Sequence, residues 1–148
     1  MIRILVIENN DADHFAVDKA LAPYGNKFEL SHVSSLQAGI DEIKKNGCDL
    51  ILSDLHLSDS NGVSTILDLK RVSDAPIVVL TCVDEDECIS DAIRSGAFNY
   101  LHKSEMNGNL RRAILAAKAN HDLRAEKKDK IMEMLRFYFP DTSSAKHC

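Results

Sequence analysis

The 148-residue chain carries 18 Lys and Arg against 23 Asp and Glu, a formal charge of -5, with 45% hydrophobic and 28% charged residues. That length suits one domain with some chain to spare, and the balance is ordinary for a globular protein and far from a disordered one. Net acidity argues against a general binder of phosphate backbones, no apolar run approaches the roughly 20 residues of a membrane span, and the apolar start is too short for a secretory signal. A cytoplasmic protein with no nucleic-acid or membrane partner is expected.

From the N-terminus, Ile2 to Ile7 is a continuous β-rich apolar run, the pattern of a strand buried on both faces. Phe15, Ala16, Lys19, Ala20 and Ala22 space a helical face that stops at Pro23-Tyr24-Gly25. Phe28, Leu30 and Val33 alternate as a second strand, and Leu36, Ile40 and Ile43 mark a second helix halted at Asn46-Gly47. Leu50 to Leu52 is a third strand, followed by a helix marked by Val63, Ile66, Leu67 and Val72. Ile77 to Leu80, entered through Pro76, is the fourth strand; Ile89, Ala92 and Ile93 mark the fourth helix, closed by Gly96. A short edge strand over Phe98, Tyr100 and Leu101 leads to a fifth helix, which begins near Ser104 or Asn107 and carries Leu110, Ile114 and Ala117.

Five βα units with right-handed crossovers predict an α/β, doubly wound parallel sheet of flavodoxin-like (βα)5 type, in strand order 2-1-3-4-5. Its switch point lies between strands 1 and 3, whose C-terminal ends are Glu8-Asn9 and Asp54. Thr81 and Lys103 end strands 4 and 5 and face the same rim. Each has a plainer reading alone: Asp54 as a turn residue, Thr81 as a β-branched strand residue, Lys103 as a solvated lysine, Tyr100 as edge packing. Their arrival at one rim in this order favours chemistry.

The set Glu8-Asn9, Asp54, Thr81 and Lys103, with Gly96-Ala97-Phe98-Asn99-Tyr100-Leu101-His102 ahead of the lysine, resembles the receiver domain of two-component response regulators, over residues 1–120. The resemblance implies that Asp54, ionised and exposed, accepts a phosphoryl group from a histidine kinase or phosphotransfer protein. Lys103 and Thr81 supply an ammonium and a hydroxyl to the phosphoryl oxygens, and movement of Thr81 is coupled to an inward turn of Tyr100. Glu8, Asn9, Asp54 and the backbone carbonyl of His56 are the implied Mg²⁺ ligands. Such a protein signals through contacts with a downstream protein or a covalently linked output domain, and catalyses only its own phosphoryl transfer and dephosphorylation. Helix 4, strand 5 and helix 5, or the C-terminal tail, are surfaces for a homodimer.

Departures from the family pattern shape these expectations. Asn9 stands where a second carboxylate is usual, so one negative charge is gone and weak Mg²⁺ binding is expected. The alternative is a pseudo-receiver, a protein-binding module that works without phosphorylation. An Asp-nucleophile phosphatase is a third reading, weakened because His56 stands where a second Asp is wanted. Asp11 and Asp13 read first as favourable charge at a helix N-terminus, and second as a compensation for the lost carboxylate, one of them acting through a water. Ser104 follows Lys103 in place of a proline that is frequently cis, which leaves the isomer of that bond and the placement of Lys103 open. Ser58 replaces another common proline, and Cys82 a very small residue, which should narrow the phosphoryl pocket.

Cys48, Cys82, Cys88 and Cys148 form no CxxC pair and read as reduced thiols. The run Asp84-Glu85-Asp86-Glu87 reads as a helix cap, or more sharply as a docking surface for a basic partner. Six histidines show no recognisable metal-ligand spacing. Residues 121–148 form a C-terminal extension: a charged helical stretch from His121, the cluster Phe137-Tyr138-Phe139 halted by Pro140, and a frayed end over Asp141 to Cys148.

Overall fold

The computed structural model describes residues 1–82 and 86–139. In chain order it contains β1 (Ile2–Ile7), α1 (Asp11–Leu21), β2 (Phe28–Val33), α2 (Leu36–Asn46), β3 (Leu50–Ser53), α3 (Val63–Val72), β4 (Ile77–Thr81), α4 (Asp86–Arg94), β5 (Asn99–His102) and α5 (Met106–Tyr138). The five strands form one sheet in the order β2-β1-β3-β4-β5, every neighbouring pair parallel, as predicted.

The two-sided apolar strands follow from the pleat, which sends alternate residues to opposite faces. Ile4, Val6, Leu50, Leu52, Val78 and Leu80 pack on one face against Val17 and Leu21 of α1 and Leu110, Ile114 and Ala117 of α5. Leu5, Ile7, Ile51, Ile77 and Val79 pack on the other against α2, α3 and α4. With helices on both faces no strand position can be polar without cost, so these strands read as unbroken hydrophobic runs.

Three helix faces differ from expectation. In α1 the buried stripe is Val17 and Leu21, while Phe15 is 68% exposed. The alanines around Phe15 mimic an apolar face, but Val17 and Leu21, at i and i+4, bury more branched surface. In α3, Ile66 and Leu69 are buried and Leu67 is exposed; in α4, Ala92 is buried and Ile93 exposed. The fifth helix begins at Met106, and its first turn is broken at Asn107 and at Gly108, whose φ of 78° suits glycine.

The chain divides into two compact units, Met1–Lys118 and Ala119–Cys148. The second is helical as far as Tyr138 and exposes Ile131, Met134, Leu135, Phe137 and Tyr138, with the Phe137 and Tyr138 rings edge to face. Among the described residues, no helix is long and apolar enough to cross a membrane. Asp84 and Glu85 of the acidic run, Pro140, the end over 141–148, His147 and Cys148 lie outside the described residues. Asp86 and Glu87 do occupy the first turn of α4, where their charge complements the helix dipole.

One close approach fixes α2 on the sheet. A Cβ added to Gly39 would stand 2.6 Å from Ile7 Cδ1 and 3.2 Å from its Cγ1, and Ile7 is the last residue of β1. Gly39→Val should therefore lose about 1–3 kcal/mol of stability through overpacking. Urea unfolding followed by far-UV circular dichroism checks this, and an unchanged midpoint would show that the contact yields freely.

Candidate functional site

β1 and β3 are neighbours with Ile7 opposite Ser53. The ladder runs one residue further, the Glu8 N–H donating to the Val33 carbonyl and the Asp54 N–H to the Ile7 carbonyl. Glu8 and Asp54 therefore leave adjacent strand ends side by side. β5 ends at His102, so Lys103 opens the short turn Lys103–Glu105 and its side chain crosses the rim toward the acids.

The Lys103 Nζ lies 2.7 Å from Glu8 Oε2, 2.6 Å from Asp13 Oδ2 and 2.7 Å from Asp54 Oδ2. Burial alone would push the Lys103 ammonium down, but hydrogen bonds to Asp13, Asp54 and Glu8 more than offset this and hold it above the ordinary lysine range. Glu8 is pushed up, first by burial and next by the charge of Asp54, with Lys103 opposing both. Three carboxylates against one ammonium leave two negative charges in excess in a pocket largely screened from water.

Backbone donors hold the acids in place. Asp54 Oδ1 accepts the His56 N–H at 2.9 Å, and Glu8 Oε1 accepts the Asn10 N–H at 3.1 Å. Asn10 also caps α1, its Oδ1 accepting from the N–H groups of Ala12 and Asp13. That cap sets the first turn of α1 and brings Asp13 to the pocket. Asp13 stands in the first turn of α1, where an acid favours the helix dipole as expected, and it also engages Lys103 in a direct, partly buried ion pair. The Asp54 side chain is only 8% exposed, against the expectation of an exposed carboxylate, since Lys103 and Glu8 close over it. Asn9 is exposed and Thr81 is buried at the end of β4.

The loop after Asp54 is fastened at several points. The Leu57 N–H donates to the Ser60 carbonyl and the Gly62 N–H to that of Leu55, while the Asp59 carboxylate accepts the N–H groups of Gln37 and Leu36, which hold it below the usual range. Asp59 thus caps α2 from a neighbouring loop. A cavity of about 200 Å³ opens where the two ends of this loop meet α3 and α4, lined in part by Leu55, Gly62, Val63, Thr81, Cys88 and Tyr100.

Among the described residues no peptide bond is cis, so the bond before Ser104 is trans. The turn is held by His102 instead: its Nδ1 lies 2.7 Å from Ser104 Oγ, and its Nε2 lies 2.9 Å from the Cys82 carbonyl. His102 so ties the end of β5 to the end of β4. Burial pushes the Cys48 thiol up to about 11, which leaves it an inert packing residue. His14 and His32 also meet, their Nδ1 atoms 2.6 Å apart.

The carboxylates of Glu8, Asp13 and Asp54 supply oxygen donors of the kind a hard divalent cation prefers. Among the described residues no group of three His, Cys, Asp or Glu side chains makes a ready metal cage, because the ammonium holds the point on which these oxygens converge.

Residues 4–115 match the response regulator receiver domain family. The chain is 31% identical over 121 residues to the KDP operon transcriptional regulatory protein KdpE of Escherichia coli (strain K12), covering 82% of this chain and 53% of that protein. It is 29% identical over 122 residues to the autoinducer 2 sensor kinase/phosphatase LuxQ of Vibrio cholerae, covering 81% and 14%. A two-component response regulator from Clostridium difficile superposes with a TM-score of 0.71 at 27% identity, over 81% of this chain and 97% of that one. NtrX from Brucella abortus shares the fold, with a TM-score of 0.78 at 21% identity over 86% and 29%. The chain thus spans about half the length of KdpE and a smaller share of LuxQ.

Lys103→Met removes the ammonium and leaves buried acids facing one another, which should cost about 3 kcal/mol near neutral pH. Glu8, already raised by burial, then takes up a proton more readily. A carboxyl raised in the folded state favours folding below its unfolded value and loses that contribution as pH rises through its folded value. The deficit of Lys103→Met against the parent should therefore shrink toward pH 5 in paired urea titrations; a deficit independent of pH would contradict the charge account.

Proposed function

The chain belongs to the response regulator receiver domain family, and from that premise we propose that it is a phosphorylation-dependent switch of a two-component system, with Asp54 as phosphoacceptor. The observation that carries this reading is the Lys103 ammonium 2.7 Å from Asp54 Oδ2, beside Glu8, with the other Asp54 oxygen held by the His56 N–H. An Asp54 oxygen attacks the phosphorus of a phosphohistidine on a histidine kinase or phosphotransfer protein. The P–N bond breaks, its electron pair returns to the imidazole, and an acyl phosphate forms on Asp54. Lys103, released from the Asp54 oxygen, pairs with a phosphoryl oxygen, and Thr81 donates its hydroxyl to another.

Receiver domains generally bind Mg²⁺, which when bound neutralises charge developing on the transferred phosphoryl group. The residues here fit it: Glu8, Asp54 and the His56 carbonyl are the proposed oxygen ligands, and two uncompensated negative charges match a divalent cation. Asn9 contributes a neutral oxygen in place of a carboxylate. Asp13, in the first turn of α1 and already in the pocket, supplies the missing charge, directly or through water.

The output step uses the cavity beside Thr81. When Thr81 moves toward the phosphoryl group, Tyr100 turns into the space the two residues share and reshapes the face of α4, β5 and α5. That face and the apolar tail helix are the surfaces offered to a downstream protein, an output domain or a second copy. KdpE is a transcriptional regulatory protein, so the expectation of no nucleic-acid partner rests on the charge of these residues alone. Cytoplasmic placement and self-limited chemistry, as opposed to turnover of an external substrate, complete the proposal. Cys82, exposed beside Thr81, restricts entry of small phosphodonors.

Incubation with acetyl phosphate and Mg²⁺ should add one phosphoryl group, detected by intact-protein mass, and Asp54→Asn should abolish it. Absence of modification by any phosphodonor, together with no Mg²⁺-dependent change at Asp54 in a beryllofluoride titration, would favour the phosphorylation-independent module. In NMR titrations Mg²⁺ should bind roughly tenfold more tightly to Asn9→Asp and roughly tenfold more weakly to Asp13→Asn. Equal affinities across the three proteins would contradict the roles given to Asn9 and Asp13.

A further inference from the structure

An ammonium has three N–H donors and no acceptor, and the rim offers one carboxylate oxygen to each donor of Lys103: Glu8 Oε2 at 2.7 Å, Asp13 Oδ2 at 2.6 Å and Asp54 Oδ2 at 2.7 Å. Burial disfavours the Lys103 charge, and the hydrogen bond to Asp13 heads those that outweigh it. In the transfer proposed above only Asp54 changes; Glu8 and Asp13 stay carboxylates. When an Asp54 oxygen bonds to phosphorus, the N–H on Asp54 passes to a phosphoryl oxygen, and the other two N–H groups keep their places on Glu8 and Asp13.

The backbone does little to place this lysine. Its side chain is a flexible four-carbon stem. The bond before Ser104 is trans, and the turn that Lys103 opens is held through the exposed contact of His102 with Ser104. Asp13 is better fixed. It lies in the first turn of α1, where Asn10 Oδ1 accepts its N–H at 3.3 Å and that of Ala12 at 2.8 Å. The Asp13 side chain is 26% exposed and that of Lys103 9%, so solvent screens the pair less than a surface pair.

We propose that Asp13 is a positioning residue for phosphoryl transfer to Asp54: it anchors the Lys103 ammonium from a second element, so that one N–H stays aimed at the phosphoacceptor oxygen. The inference rests on the proposed phosphorylation of Asp54, and it is separate from any charge Asp13 lends to Mg²⁺, because it acts through Lys103. Loss of Asp13 has two opposed consequences. The ammonium is aimed less well, which slows the transfer, and the pocket repels an anionic phosphodonor less, which eases its binding. Asp11 is the natural control. It carries the same charge in the same turn, but lies exposed.

The test follows phosphorylation of the full chain by acetyl phosphate at saturating Mg²⁺, by intact mass at timed quenches. In this reaction the P–O bond to acetate breaks, its electron pair leaves with acetate, and a P–O bond to Asp54 forms. Asp13→Asn should lower the maximal rate about tenfold while the half-saturating donor concentration stays level or falls. Asp11→Asn should keep both parental values, and Asp13→Glu should recover part of the rate. In a Lys103→Met background Asp13→Asn should slow the residual transfer no further, since its effect runs through the missing ammonium. Equal slowing in both backgrounds would overturn the proposal, as would Asp11→Asn and Asp13→Asn behaving alike, or a change confined to the half-saturating concentration. Should Lys103→Met leave no measurable transfer, the comparison of Asp13→Asn with Asp11→Asn decides. A parent chain that accepts no phosphoryl group would overturn the proposed switch itself, and this role with it.

Discussion

The rim of the sheet depends on one cation, the Lys103 ammonium, within 2.7 Å of oxygens from Glu8, Asp13 and Asp54. Those oxygens come from the end of β1, the first turn of α1 and the end of β3, and the lysine itself follows β5. The fold supplies the convergence: parallel strands end on the same side of the sheet, and the strand order sets β1 beside β3. Electrostatics then decides what the pocket is for. A single positive charge cannot balance three carboxylates, and under the function proposed above the pocket would gain a further cation and release the lysine when a phosphoryl group brings its own negative charge.

Local devices keep that arrangement exact enough for chemistry. Asn10 caps α1 and aims Asp13, the His56 N–H pins one oxygen of Asp54, and Asp59 fastens the following loop to the start of α2. Where a proline is frequent after the lysine, the Ser104 hydroxyl and the His102 ring hold the turn with a trans bond, and the ring also reaches the Cys82 carbonyl. A polar contact replaces a covalent constraint here, so Lys103 is still delivered to the acids. The price is a position that depends on an exposed hydrogen-bond network.

The fold was legible because strands buried on both faces announce themselves as apolar runs; Glu8, Asp54 and Thr81 stood out as candidates because each sits at the end of such a run, and Lys103 because it follows the short fifth strand. The contact of Asp13 with Lys103 was obscured by a sufficient local reason for an acid at a helix start, and proximity in sequence to Asn9 left Asp11 and Asp13 equal candidates for the rim until Lys103 reached across 90 residues to Asp13. The buried face of α1 was misread because alanines around Phe15 dilute the periodicity that Val17 and Leu21 carry. The pairing of His14 with His32 has no trace in spacing, since it arises from the pleat of an edge strand meeting a helix face.

The account's central claim is that three carboxylates hold one ammonium out of solvent. ¹⁵N spectra of the lysine side chains test it directly. The account predicts one ammonium signal protected from water exchange in the parent protein, lost in Lys103→Met and shifted in Asp13→Asn. Lysine ammonium signals that all exchange freely with water, or a protected signal indifferent to both substitutions, would contradict it.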